Sequence, residues 1–278
     1  MKIINCKILT EKLIPLIVGA NIKIDSITTN KLRKCYAKET SPHAKWALEQ
    51  IVKNIDIAER TNSPACQDTG MAVFFVKLGQ QVCFEGGLLT EAINQAVREA
   101  YTDNYLRLSV ADPLTRINTN DNTPAVIHIE LVGGNDFEIC FLAKGAGAEN
   151  MSRLFMLRPG DGKDGIIKAV LHCVKIAGSN PCPPVGIGIG IGGNMEKCCI
   201  MAKKALARIG TANKDNDIAE LENNILQAVN TLEIGAMGFG GNCTAYGVAV
   251  ETYPTHIGML PVAVNLQCHS ARHFKLVM

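Results

Sequence analysis

The chain has 278 residues, 47% of them hydrophobic, which is enough for one large domain or two smaller ones with a full core. Its 28 basic and 26 acidic residues nearly cancel, which excludes the electrostatic footprint of a protein that wraps nucleic acid or lies on an anionic membrane. The charges scattered through "MKIINCKILTEKLIPLIVGANIKI" argue against a secretory signal, and no apolar run is long enough to cross a bilayer.

Ser41-Pro42, followed by Ala44, Ala47, Leu48, Ile51, Ile55 and Ala58, combines an N-cap, a first-turn proline and an i, i+3, i+4 stripe, and predicts an amphipathic helix. The run "MAVFFVKL" at 71–78 reads as a buried strand, and Thr90–Leu106 as a second helix. Between them "NSPACQDTGMAV" sets Cys66, Gln67, Asp68 and Thr69 at the mouth of the strand. A strand-end loop is where side chains converge on a ligand over a rigid scaffold, although a reduced cysteine beside a turn would have the same spacing. Residues 125–132 and 136–143 alternate around "GGND" and predict two antiparallel strands in a tight hairpin. The second strand runs into "AKGAGAEN", whose glycines permit close backbone approach. Lys163–Ala177, Met195–Ile209 and Asp217–Leu232 read as helices, and 246–252 and 260–266 as closing strands. Strands that come in hairpins with helices at their flanks indicate an α+β fold, with antiparallel or mixed sheets, over a single domain spanning 1–278.

"PPVGIGIGIGGNMEK" formally contains G-x-G-x-x-G at Gly188, Gly190 and Gly193, with Asp215 downstream. A dinucleotide fingerprint needs a strand that feeds the glycine turn directly and an acidic residue ending a second strand. Here prolines precede the run and its glycines alternate with Val185, Ile187, Ile189 and Ile191, so a close-packed strand with small residues on one face is the better reading. A non-catalytic nucleotide- or metabolite-binding module built on this run is the alternative of a different class.

Eleven cysteines without a signal peptide point to a reducing cytoplasm, where thiols serve metals or chemistry rather than disulfides. Cys83, Cys140 and Cys173 lie in apolar periodic segments and read as core. Cys66, Cys182 in "SNPCPPVG" and Cys268 in "NLQCHSARH" stand instead at junctions between elements. No C-x-x-C occurs, which weighs against zinc ribbons and ferredoxin-like modules. Dispersed thiolates could still converge on one centre, and an iron-sulfur cube held by three of them keeps one iron open.

"CQDTG" at 66–70, Leu106-Arg107 followed by "NTPA" at 122–125, "AKGAG" at 143–147, "PCPP" at 181–184 and "YPTHIGMLPVAVNLQCHSARH" at 253–273 occur in that order. Together they resemble the N-terminal part of the class I, iron-sulfur-dependent fumarase family, which includes L(+)-tartrate dehydratase, from about residue 40 to the end. The resemblance implies a [4Fe-4S] cluster on Cys66, Cys182 and Cys268, with one open iron. It implies substrate contacts at Gln67, Arg107 and Gly147, and acid-base roles for Asp68 and His256. Cys243, in "GGNCTAY", matches no ligand motif. The sequence departs from the family in having Ala146 where a third glycine is frequent, and in stopping at Met278, whereas single-chain members continue into a second catalytic domain.

The chain is therefore expected to be the α subunit of a cytoplasmic hydro-lyase that hydrates and dehydrates a small dicarboxylic acid. Fumarate/malate is the first substrate expected and tartrate the alternative, with a β subunit supplying the remaining residues of a higher oligomer. Such chemistry needs a base for the carbon-bound proton and an electrophile for the departing hydroxyl. Arg107 would hold a carboxylate by a charge-assisted, bidentate contact. Asp68 would orient or activate a base from the partner, unless it merely closes an Asx turn.

Overall fold

The computed structural model describes residues 1–278, which fall into two compact units. The first comprises Met1–Asp25, Ile57–Ala146 and Arg272–Met278, and the second Ser26–Asp56 and Gly147–Ala271. Each is discontinuous in sequence, so no polar linker marks a boundary.

In chain order, strand β1 (Lys2–Asn5) is followed by helices α1 (Cys6–Ile22), α2 (Ser26–Lys38) and α3 (Pro42–Thr61), strands β2 (Met71–Gly79) and β3 (Val82–Glu85), and helix α4 (Leu89–Asp103). Next come strands β4 (Val126–Val132) and β5 (Phe137–Lys144), the short helix α5 (Ala146–Glu149), strand β6 (Arg153–Leu157) and helix α6 (Gly162–Ala177). Strand β7 (Val185–Gly192), helices α7 (Met195–Ala205) and α8 (Asn216–Asn230), and strands β8 (Ala245–Tyr253), β9 (Leu260–Gln267) and β10 (His273–Val277) complete the chain. No helix is long and apolar enough to cross a membrane. The architecture is α+β, with mixed sheets flanked by helices.

The first unit carries a sheet in the order β10-β5-β2-β4. Here the predicted hairpin is corrected: β4 and β5 both form, but β2 lies between them, antiparallel to β5 and parallel to β4. The reason is burial. Ala72–Val76 are buried on both faces, as a central strand requires, and the "GGND" turn is spent on the end of β2: Gly79 N–H donates to Asp136 O at 2.7 Å and Gln81 N–H to Gly134 O at 2.9 Å. Helices α1 and α4 cover one face, where Leu9, Leu13 and Ile17 and Ile93, Val97 and Tyr101 meet Phe74, Phe137, Ile139 and Phe141.

The second unit carries a sheet in the order β6-β9-β7-β8. Strand β7 is wholly buried and its two residue types face opposite ways. Ile187, Ile189 and Ile191 join a core with Val170 and Val174 of α6 and Leu221, Ile225 and Val229 of α8. Its glycines face α7, whose backbone comes so close that a Cβ on Gly188 would lie 2.1 Å from Ala202 O and one on Gly190 2.0 Å from Cys198 O. The glycine run is thus a packing surface for a helix and not a phosphate-facing turn.

Because backbone rather than a flexible side chain blocks that Cβ, Gly190→Ala is expected to destabilise the protein by about 3 kcal/mol, at the upper end of ordinary overpacking. Urea unfolding checks this: an unchanged midpoint would show that α7 can move off the sheet.

Candidate active site

Register explains why two of the singled-out motifs meet in the first unit. Strands β2 and β5 are antiparallel with Met71 opposite Lys144, so the loop entering β2 and the loop leaving β5 lie at the same end of the sheet. The Asp68 carboxylate joins them: Oδ1 accepts from Gly70 N–H at 3.0 Å, forming the Asx turn, and Oδ2 accepts from Ala146 N–H at 2.9 Å. Gly70 has φ +76° and a Cβ there would lie 2.8 Å from the Lys144 backbone, so the turn into β2 requires glycine.

Under this loop lies a layer of buried polar groups. Thr69 Oγ1 donates to Arg107 O at 3.2 Å, and the buried Tyr101 hydroxyl donates to Thr69 O at 2.8 Å. Burial pushes that phenol well above its usual range. Asn122 Nδ2 donates to Gly70 O and its Oδ1 accepts from Ser109 N–H, tying the segment after Arg107 to the same place. Above the layer, Gln67 and Arg107 are exposed and Cys66 is half-buried, with the Gln67 Oε1 3.7 Å from the Cys66 sulfur. Cys66, Gln67, Asp68 and Arg107 are therefore grouped by the first unit.

The second unit uses the same device. Strands β7 and β9 are antiparallel with Gly186 opposite Gln267, so the chain entering β7 and the chain leaving β9 meet at one end of that sheet. Cys182 lies just before β7 and Cys268 just after β9, and the His269 ring bridges them, with Nδ1 2.9 Å from Cys182 O. Cys182 holds a left-handed backbone, φ +54°, a strained conformation for a residue with a side chain and one that clusters at functional positions. Its neighbour Pro183 accepts from Met237 N–H at 2.8 Å. Gly147 lies at the same end, where a Cβ would be 3.4 Å from Asn180 O. Glu149 pairs with Lys203 and accepts from Asn265 Nδ2, which anchors the short helix carrying Gly147.

His256 is placed elsewhere. It is exposed on the turn between β8 and β9, its Nδ1 accepting from Gly258 N–H at 3.1 Å. Eight residues of extended β9 separate this turn from Cys268, on the order of 25 Å at about 3.4 Å per residue. Within its unit, His256 is not brought to Cys182 and Cys268.

The remaining cysteines sort by environment. Burial pushes the Cys173 thiol up to about 11 and that of Cys198 to about 11, as inert core thiols require. Cys140 is half-buried and Cys83 exposed, so the core reading of Cys83 is corrected: β3 pairs only with β1 and turns Cys83 outward. Cys243 is in a disulfide with Cys35, at an S–S distance of 2.00 Å, so the expectation of uniformly reduced cysteines is corrected as well. Neither unit by itself assembles three or more His, Cys, Asp or Glu side chains into a metal-ready group; the second holds Cys182 and Cys268, and Cys66 belongs to the first. All three thiols are partly exposed at loop mouths, and soft thiolates so placed suit an iron-sulfur centre.

Tyr101, Asn122 and Arg272 were not singled out by sequence reasoning. Two of them lie in quoted motifs, Asn122 at the start of "NTPA" and Arg272 near the end of "YPTHIGMLPVAVNLQCHSARH", whereas Tyr101 had no such signal.

The fumarate hydratase (Fumerase) family profile matches residues 10–277. A Methanocaldococcus jannaschii protein provisionally named L(+)-tartrate dehydratase subunit alpha is 41% identical over 271 residues, covering 95% of each chain. The L(+)-tartrate dehydratase subunit alpha of Escherichia coli O157:H7 is 33% identical over 254 residues, covering 90% of this chain and 84% of that one.

Asp68→Asn places an amide where both carboxylate oxygens accept, so one loop N–H loses its partner at about 1–3 kcal/mol. Hydrogen exchange at Gly70 or Ala146 is expected to quicken by about tenfold or more. Unchanged protection at both amides would mean that the carboxylate does not hold the loops.

Proposed function

This chain belongs to the fumarate hydratase (Fumerase) family, and we propose that it is the α subunit of an iron-sulfur hydro-lyase whose substrate is L(+)-tartrate. Fumarate/malate stood first on sequence grounds; the names of the relatives favour the tartrate alternative. The observation that carries the reading is the grouping, at the end of one sheet, of a half-buried thiol with exposed Gln67 and Arg107 over a buried polar support.

Cys66, Cys182 and Cys268 would hold the cluster. Bound there with one open iron, it supplies a Lewis acid for the substrate hydroxyl. Arg107 offers an exposed guanidinium to one carboxylate, and Gln67 an amide beside the Cys66 thiol. Gly147, exposed and lacking a side chain, lets substrate approach the main chain. Both Asp68 oxygens already accept N–H bonds, so Asp68 orients its loop, and the base for the carbon-bound proton comes from the partner subunit. For His256 the proposal keeps the family correspondence only. It lies at the far end of its sheet from Cys182 and Cys268.

The α and β subunits co-expressed and purified without oxygen are expected to carry about four irons per αβ pair. Ser at Cys66, Cys182 or Cys268 is expected to remove the iron and the activity together, whereas Cys243→Ser leaves both. Equal tolerance at all four positions would overturn the ligand assignment. The wild-type pair is expected to turn over L(+)-tartrate with kcat/KM at least about tenfold above malate, a preference of about 1.4 kcal/mol. The reverse preference would restore fumarate/malate.

A further inference from the structure

Arg272 is 2% exposed. A guanidinium taken out of water loses several kcal/mol of hydration unless it is bonded in good geometry, so its partners indicate what it is there to hold. Its main chain is fixed to β5, the Arg272 carbonyl accepting from Ala143 N–H at 3.0 Å. From that anchor Nη1 donates to the Asp68 carbonyl and, at 3.4 Å, to Oδ1 of the fully buried Asn21 on α1. The other end of the fork faces the AKGAG loop: a Cβ on Gly145 would lie 3.5 Å from Arg272 Nη2 and 3.1 Å from Asp68 Oδ2. Guanidinium and carboxylate therefore both flank Gly145, where an added methyl would press on the Asp68 carboxylate and touch the guanidinium.

We propose that Arg272 is the positioning residue of the Cys66–Gly70 loop, fixing the orientation in which Cys66 and Gln67 are presented; this rests on the reading of that loop as part of the active site. Two features of the residue suit the task. The planar fork reaches the Asp68 backbone and the Gly145 side at once, which the single ammonium of lysine cannot do. Its charge also sits beside the Asp68 carboxylate, whose two oxygens hold the entry to β2 and the exit from β5. Arg272 acts on the loop through the Asp68 carbonyl, to which its Nη1 donates.

The test compares Arg272→Lys with wild type, with Gly145→Ala as a second variant that crowds the same junction and keeps the charge. Three readouts are taken: the urea midpoint, the rates of Cys66 and Cys182 alkylation by iodoacetamide in the iron-free protein, and kcat and KM of the purified αβ pair. For both variants, Cys66 alkylation is expected to change at least about fivefold with Cys182 unchanged, and kcat to fall about tenfold or more with KM within about threefold, as for a misplaced reacting geometry. Wild-type alkylation at Cys66, or equal changes at Cys66 and Cys182 that follow a lowered urea midpoint, would overturn the proposal. If the wild-type pair proves inactive on dicarboxylic acids, the active-site reading fails, while the contrast between Cys66 and Cys182 still decides the part played by Arg272.

Discussion

Two backbone N–H groups, on Gly70 and Ala146, end on the two oxygens of one carboxylate, and the form of the Cys66 loop follows from that arrangement. Hydrogen bonds to a carboxylate are shorter and stronger than those between neutral groups, so a single aspartate can tie the loop entering β2 to the loop leaving β5. The arrangement exists only because β2 and β5 run antiparallel with Met71 opposite Lys144. Ala72–Val76 are buried on both faces, so the register is held by the strand's end, where Lys77 is exposed and Gly79 N–H donates to Asp136 O, and the register delivers the loops. The second unit repeats the scheme with β7 and β9, which bring Cys182 and Cys268 to one sheet end.

Rigid support under exposed contact groups is the common pattern. Tyr101, Thr69 and Asn122 are buried beneath Gln67 and Arg107, and the alternating glycines of β7 let α7 lie directly on the sheet that carries Cys182. If Gln67 and Arg107 bind substrate as proposed, a loop backbone fixed in this way lowers the ordering cost of binding. The cysteines divide along the same line: Cys173 and Cys198 fill the core with thiols that burial keeps protonated, whereas Cys66, Cys182 and Cys268 sit half-exposed at loop mouths.

Much of this was legible in the residues. The stripe from Ala44 to Ala58, the apolar run at 71–78 and the stripes of α6 and α8 gave elements within three residues of those found, because each has one clear periodicity. The alternation of Gly and Ile in β7 was informative for the same reason. What local pattern could not give was pairing. "GGND" reads as a hairpin turn, and only the competition of β2 for the sheet centre shows why it is not one. Helix α1 was hidden because Pro15 lies within it and because Ile8, Ile14 and Val18, outside the buried stripe of Leu9, Leu13, Ile17 and Ala20, mask that stripe in the sequence. Arg272 and Asn21 lie 251 residues apart in sequence, and no spacing rule connects such a pair. The far placement of His256 likewise depends on which strand end its loop closes.

The proposed function requires three dispersed sulfurs to hold one cluster with a free corner. Mössbauer spectroscopy of the anaerobic αβ complex, recorded with and without L(+)-tartrate, tests that most directly. The expected result is that about a quarter of the iron changes its isomer shift on adding substrate while the rest does not, as one open iron in a cube requires. A spectrum in which substrate moves no iron, or moves all of it alike, would contradict the account.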